Sequence, residues 1–267
     1  MVALYQKIAD DLRGRILDRG RILDRELGPG AKLPTEQELM ALYGVSRNTV
    51  RMAVATLANQ GLIKTQPGRG GGAFVQDRLM LTYYASRENS PGSEHTVEFE
   101  QFIRAQGAEP KEEFSLSMLE ATAAIAERLL VPEGSVVILR RLQRSANNEP
   151  VSIQDSYYPE DLAKGTRIME PRVVAEGIGQ ELARLGHIQV GYRDELIAEM
   201  PSLDEVTALN LSPGVPVLRH WRTAYAVDRP IRVTRTIFAA DRNRLVYEGA
   251  DTSASNGVVP DGRDNDT

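Results

Sequence analysis

The chain has 267 residues, 42% hydrophobic and 26% charged, with a net charge of −5 and no cysteine. That length allows two domains, and the composition excludes disulfides, thiolate metal sites and cysteine nucleophiles. No apolar run approaches the roughly 20 residues of a membrane span, and MVALYQKIADDLRGR reads as an amphipathic start rather than a leader, so a cytoplasmic protein is expected. The charge is uneven. Residues 1–78 hold 12 Lys+Arg against 8 Asp+Glu, a net of +4, and the remainder is net −9. A basic module joined to an acidic one suits a nucleic-acid binder attached to a module of another kind.

Tyr5, Ile8, Leu12 and Ile16 lie one helical face apart, which predicts a first helix with a single apolar stripe. GRILDR then occurs twice in tandem, Gly14–Arg19 and Gly20–Arg25. Six residues turn a helix by ~600°, about 120° short of two full turns. A continuous helix would rotate its stripe off the core, so a break at Gly20 or a looped-out copy is expected. The extra copy reads either as a tolerated surface insertion or as a change in how the module approaches DNA.

Leu33 to Val75 organise the first domain. Thr35 and Glu38 form a T-x-x-E capping box that starts a second helix, with Leu39, Met40 and Leu42 on its apolar side and Gly44 as its left-handed stop. Ser46 caps a third helix whose inner face is Val50, Val54 and Leu57, ended by Gly61. Leu62 and Ile63 begin a strand, Gln66 to Gly72 form a Gly-rich loop, and Ala73 to Val75 return. Arg47, Asn48 and Arg51 sit opposite the apolar face near the start of the third helix, where a recognition helix meets base edges. Arginine bonds guanine bidentately and asparagine bonds adenine. Val45 to Val75 hold four basic residues and no Asp or Glu, as a phosphate-facing surface requires.

LPTEQEL, GVSRNTVRMAVATLANQGLI and GRGGGAFV resemble the winged helix-turn-helix of GntR-type bacterial repressors, from about Tyr5 to Val75. The resemblance implies DNA contacts by Ser46, Arg47, Asn48, Thr49 and Arg51. It implies a minor-groove wing tip at Gly68, Arg69 and Gly70. The family usually carries Arg where this chain has Gln37, so a charged contact becomes an amide one.

Gln76 to Gly92 lack a sustained period and read as a linker ending in RENSPG. Val97, Phe99, Phe102 and Ile103 predict a helix stopped at Gly107, and Phe114 to Leu119 a strand. An internal repeat follows at an offset of 80: Gly134 and Gly214, Pro150 and Pro230, Val137 and Val217, Ala146 and Ala226. Each copy reads helix, Gly turn, strand, polar turn, Pro, strand, and Ser202 with Glu205 caps the second copy's helix. A helix from about Pro171 to Leu185 is expected between the copies, stopped at Gly186. Such pseudo-symmetry predicts one antiparallel sheet covered by helices.

A-x-x-L-x-V-x-x-G-x-x-V, NNEPVSIQDSYYP and PIRVTRTIFAADR resemble the UTRA domain of the HutC subfamily, a chorismate-lyase-like fold that binds small effectors, over about Leu81 to Glu248. The resemblance implies effector contacts from the hairpin strands, here Arg140, Arg144, Gln154, Tyr158 and Arg232. Leu142 breaks the usual Arg-x-Arg. Gln154 and Arg232 stand where many members carry Glu, which argues against a sugar-phosphate ligand. Alternation places Arg140, Leu142 and Arg144 with Ser152, Gln154, Ser156 and Tyr158, opposite Val137, Leu139, Val151 and Ile153. Arg140 and Arg144 then line a site or are simply solvated; Asp155 is the candidate partner between them.

The expected architecture is α+β: a winged helix-turn-helix over 1–78, a linker over 79–92, an antiparallel sheet domain with helices over 93–248 and a disordered tail over 249–267. The expected function is an effector-responsive bacterial transcription regulator, a repressor binding a near-palindromic operator as a homodimer, with a small anionic effector. His95, His187 and His220 form no metal pattern, so no metal or cofactor is expected. The alternative is an enzyme using the chorismate-lyase-like domain, but no nucleophile–His–acid arrangement or metal cluster favours it.

Overall fold

The computed structural model describes residues 2–18, 21–23, 25–68, 70–76, 80–85, 95–174 and 177–248. The expected tail, Gly20, Arg69 and most of the linker lie outside the described residues. In the first half, α1 (Leu4–Leu17) buries Ile8, Ala9, Leu12 and Ile16, the stripe its spacing predicts. The helix ends within the first GRILDR copy. The second copy supplies a small antiparallel hairpin, β1 (Arg21–Ile22) and β2 (Arg25–Glu26). The expectation of a mere surface insertion is corrected here: Ile22 is 2% exposed and joins the core around Leu12, Leu27 and Leu33. Leaving the helix returns to the core a side chain that a continued helix would have turned away. Ile22→Ala should therefore cost about 2–4 kcal/mol, as for other buried isoleucines. Thermal melting of the full chain checks this; a loss within 0.5 kcal/mol, the ordinary surface range, would restore the insertion reading.

α2 (Glu36–Tyr43) opens on the capping box: the Glu38 amide donates to Thr35 Oγ1 at 3.2 Å and the Thr35 amide to Glu38 Oε2 at 2.7 Å. Gly44 closes it at φ 63°, a conformation that favours glycine. Leu42, expected on the apolar side, is 44% exposed. Tyr43 packs inward instead, and its hydroxyl donates to Asp11 Oδ2 of α1 at 2.6 Å. α3 (Arg47–Asn59) is capped by Ser46 and buries Val50, Ala53 and Leu57. β3 (Ile63–Gln66) and β4 (Gly72–Val75) form the wing, and residues 31–33 hydrogen-bond along β4. β5 (Leu81–Tyr84) crosses to the second half.

That half is a six-stranded antiparallel sheet in the order β6 (Pro110–Glu120), β7 (Val136–Ala146), β8 (Glu149–Pro159), β11 (Pro230–Ala239), β10 (Val217–Tyr225) and β9 (Gly191–Glu199). The order mirrors itself about β8 and β11, as the repeat predicts. The repeat unit is larger than the sequence suggested. α4 (His95–Ala105), β6, α5 (Ala123–Leu129), β7 and β8 recur as α7 (Ile178–Arg184), β9, α8 (Leu203–Ala208), β10 and β11. Asp155 and Arg235, 80 residues apart, face each other across β8 and β11. The pseudo-two-fold therefore passes through that pair. β5 pairs in parallel with β12 (Asn243–Val246) beside the sheet.

α5 and α8 cover one face of the sheet; α4, α6 (Glu160–Ala163) and α7 cover the other. Two expectations change. The helix expected from Pro171 to Leu185 is confined to Ile178–Arg184, with Gly177 before it at φ 76°; in the lost part the Arg172 carbonyl accepts from Arg140 Nη2 instead of entering a helical ladder. Val151, expected on the same sheet face as Leu139, packs with Leu81, Phe99 and Ile103. A bulge at Arg144/Ser145 turns it over, and the second copy has the same bulge at Ala224/Tyr225.

Candidate functional site

Two sites emerge from this frame. On the first half, Arg47 and Arg51 project from the start of α3, 66% and 68% exposed at their side chains. Their Nε atoms converge on one carboxylate, Glu36, at 3.5 and 3.1 Å. Residues 45–75 hold no acid, but α2 brings one to the same surface, which spacing within α3 could not reveal. So exposed a pair adds little stability; its consequence is geometric, holding two guanidiniums side by side beyond the helix start. Asn48 is the exposed neighbour between them, its Nδ2 3.9 Å from Met52 Sδ. Thr49 bonds Ser46 through both amide and hydroxyl, so both residues shape the helix start. Gln37 is exposed on α2.

At the wing, Gly68 and Gly70 adopt φ 101° and 88°. A Cβ at Gly71 would lie 2.2 Å from the Gln66 carbonyl oxygen, which only glycine avoids. Lys32 Nζ donates to the Gly70 carbonyl at 2.9 Å and lies over the Phe74 ring. Lys32 thus adds a cation at the wing base that motif matching did not single out. Arg69 lies outside the described residues.

The second site is a cavity of about 50 Å³ between β7, β8, β11 and the segment before α7. Arg140, Gln154, Tyr158 and Arg232 line it together, with Phe114, Leu142 and Ile178 supplying apolar wall. Val173, Val174, Gly177, Ile178 and Phe114 were missed; their approach depends on contacts between distant segments. Those three bonds, 2.6–2.9 Å, fix the Arg140 guanidinium over the Phe114 ring. Burial lowers the Arg140 pKa, and Tyr158 and Glu170 pull it back in part. No carboxylate lines the cavity among the described residues.

Arg144 is absent from this lining. Its guanidinium, 1% exposed, donates to Glu112 Oε1 at 2.7 Å, Gln154 Oε1 at 2.7 Å and the Tyr83 hydroxyl at 3.3 Å. It also lies over the Phe99 ring of α4. Asp155 is not its partner: alternation turns Asp155 to the opposite face, onto Arg141 and Arg235 at 2.6 Å each. Burial would raise the Asp155 pKa, but those two guanidiniums outweigh it and hold it below the usual value. A matching strap lies in the second copy. Arg222 bonds Asp194 bidentately at 2.7 Å and donates to the Ala85 carbonyl after β5 at 3.0 Å. Burial opposes ionisation of Asp194, yet Arg222 and His220 hold its carboxyl well below the usual range. Its stabilisation is therefore complete above the ordinary Asp pKa and is lost only as pH falls through the depressed one. β5 is thus tied to the sheet through both copies. No three His, Asp or Glu side chains converge as metal ligands among the described residues, and no helix there is long and apolar enough to cross a membrane.

The family profile described as bacterial regulatory proteins, gntR family, matches residues 4–75, and that of the UTRA domain matches residues 105–244. An uncharacterized HTH-type transcriptional regulator of Rhizobium meliloti is 31% identical over 92% of this chain and 95% of its own length. The HTH-type transcriptional repressor NagR of Bacillus subtilis is 24% identical, over 92% and 94%. A crystal structure of a GntR-family transcriptional regulator superposes with a TM-score of 0.62 at 26% identity, covering 92% of this chain and 97% of the other.

Proposed function

The chain belongs to the gntR family of bacterial regulatory proteins and is a transcriptional regulator with a UTRA domain, and from that premise we propose that it is a repressor that binds a near-palindromic operator as a homodimer and answers to a small anionic effector. We assign residues 1–78 to operator binding, 79–92 to the linker and 93–248 to effector binding. Arg47, Asn48 and Arg51 read bases, Gln37, Ser46 and Thr49 meet the backbone, and Gly68 to Gly70 enter the minor groove. The protein acts without turnover in the cytoplasm.

The observation that carries this reading is a cavity with two guanidiniums and no acid, on the same chain as an exposed Arg pair at a helix start. One packed route joins the cavity to β5. Gln154, in the cavity wall, bonds Arg144, and Arg144 bonds Tyr83. A ligand that moves Gln154 would change the tie on the strand leading back to the head, giving each site a differential contact.

The experiment is selection of bound DNA from genomic fragments, followed by sedimentation of the complex. We expect an inverted repeat carrying two protomers. A single bound protomer on an asymmetric site would contradict the dimer reading.

A further inference from the structure

Resting on the reading that the cavity is the effector site, we propose that Arg232 selects the ligand: a short-chain carboxylate with an apolar body and no ammonium group. Five arginines have a buried guanidinium nitrogen that makes no hydrogen bond: Arg128, Arg144, Arg219, Arg232 and Arg235. In four of them another nitrogen of the same group is on a carboxylate: Glu195, Glu112, Glu205 and Asp155 in that order. Arg232 has no hydrogen bond or ion pair among the described residues, though it is 7% exposed and lines the cavity. An unpaired buried charge is costly, so the fold alone does not account for it. The repeat does not require it either, since the equivalent position in the first copy is Ser152.

The surroundings narrow the ligand. Arg140 has three of its donor bonds already committed to carbonyls, so Arg232 supplies the free fork. A planar guanidinium matches a carboxylate bidentately. The lining offers no acid to receive an ammonium group, and Phe114, Leu142 and Ile178 favour an apolar body. In a measure where one water needs roughly 10–15 Å³, a cavity of about 50 Å³ sets a short chain.

The test is melting of the full chain with 3-methylbutanoate, 3-methylbutanamide, 3-methylbutylamine or inorganic phosphate. The carboxylate should raise the wild-type melting temperature, and the amide, amine and phosphate should not. Arg232→Met should raise the ligand-free melting temperature by about 2–8 °C, because it removes an unpaired buried charge, and should abolish the response to the carboxylate. Arg232→Glu should respond to the amine instead. No response of the wild type to the carboxylate, an equal response to amide, amine or phosphate, or a lower melting temperature for ligand-free Arg232→Met would each overturn the proposal. Leu142→Trp, which fills the cavity, separates the two claims. A carboxylate response lost in Leu142→Trp but kept in Arg232→Met sinks the role of Arg232 and leaves the cavity reading intact. A response kept in both sinks the cavity reading itself.

Discussion

Arg47→Ala should abolish specific operator binding while the melting temperature stays within about two degrees of wild type, as for an exposed substitution. Arg47 projects 66% exposed from the first position of α3, so its loss opens no cavity. It pairs with Glu36 at 3.5 Å, itself 42% exposed, and such pairs contribute little. What disappears is a base contact of about 1–3 kcal/mol in each head. Two heads double it, which is a loss of roughly thirty- to twenty-thousand-fold in affinity. Arg51 should keep its alignment, because Glu36 still holds it at 3.1 Å. Fluorescence anisotropy with operator and scrambled duplexes measures this; wild-type discrimination by Arg47→Ala would remove it from the reading surface.

Arg144→Ala is expected to be the most destabilising single change in the second half. It leaves the Glu112 carboxylate, 9% exposed, without its guanidinium, and strips partners from Gln154 and the Tyr83 hydroxyl. Breaking a buried pair from one side costs about 3–5 kcal/mol. For a unit of this size that is a fall of about 6–20 °C in melting temperature. A cycle with Glu112→Ala separates the pair from the packing: the double variant should lose less than the two single losses combined. We place Arg144 as a positioning residue, acting on the cavity through Gln154 and on β5 through Tyr83. The readout specific to that role is a blunted effector response at temperatures where Arg144→Ala remains folded and still binds operator. Unchanged melting would show that the three bonds are not made in solution.

The sequence was most informative where the determinants are local. Thr35 with Glu38, Ser46 and Gly44 fix helix ends through residues within a few positions of one another, and all four behave as their types require. The repeat was legible because its turn glycines and prolines recur at one offset; Gly134 and Gly214 share φ 81°. It was under-read where the two copies differ in side chains but not in backbone, as with α4 and α7. What stayed hidden depends on contacts between distant segments. Glu36 reaches Arg47 and Arg51 only when α2 packs on α3. Arg140, about 30 residues away, takes the Arg172 carbonyl from the stretch expected as the Pro171 helix. The bulge that turns Val151 over leaves no mark in its own strand's pattern. Asp155 is different: strand alternation alone sets it on the face opposite Arg144, where it meets Arg141 and Arg235.

In the proposed regulator, ligand and operator compete through one chain. This competition is tested most directly by titrating operator affinity at increasing 3-methylbutanoate, or at increasing amounts of any metabolite that stabilises the wild type, in parallel for wild type and Arg47→Ala. The ligand should weaken wild-type operator binding by at least fivefold, the low end of ordinary coupling between sites. It should also raise the melting temperature of Arg47→Ala as much as that of wild type, because the two sites are separate. A ligand that stabilises the protein but leaves operator affinity unchanged, or that is consumed on incubation, would contradict it.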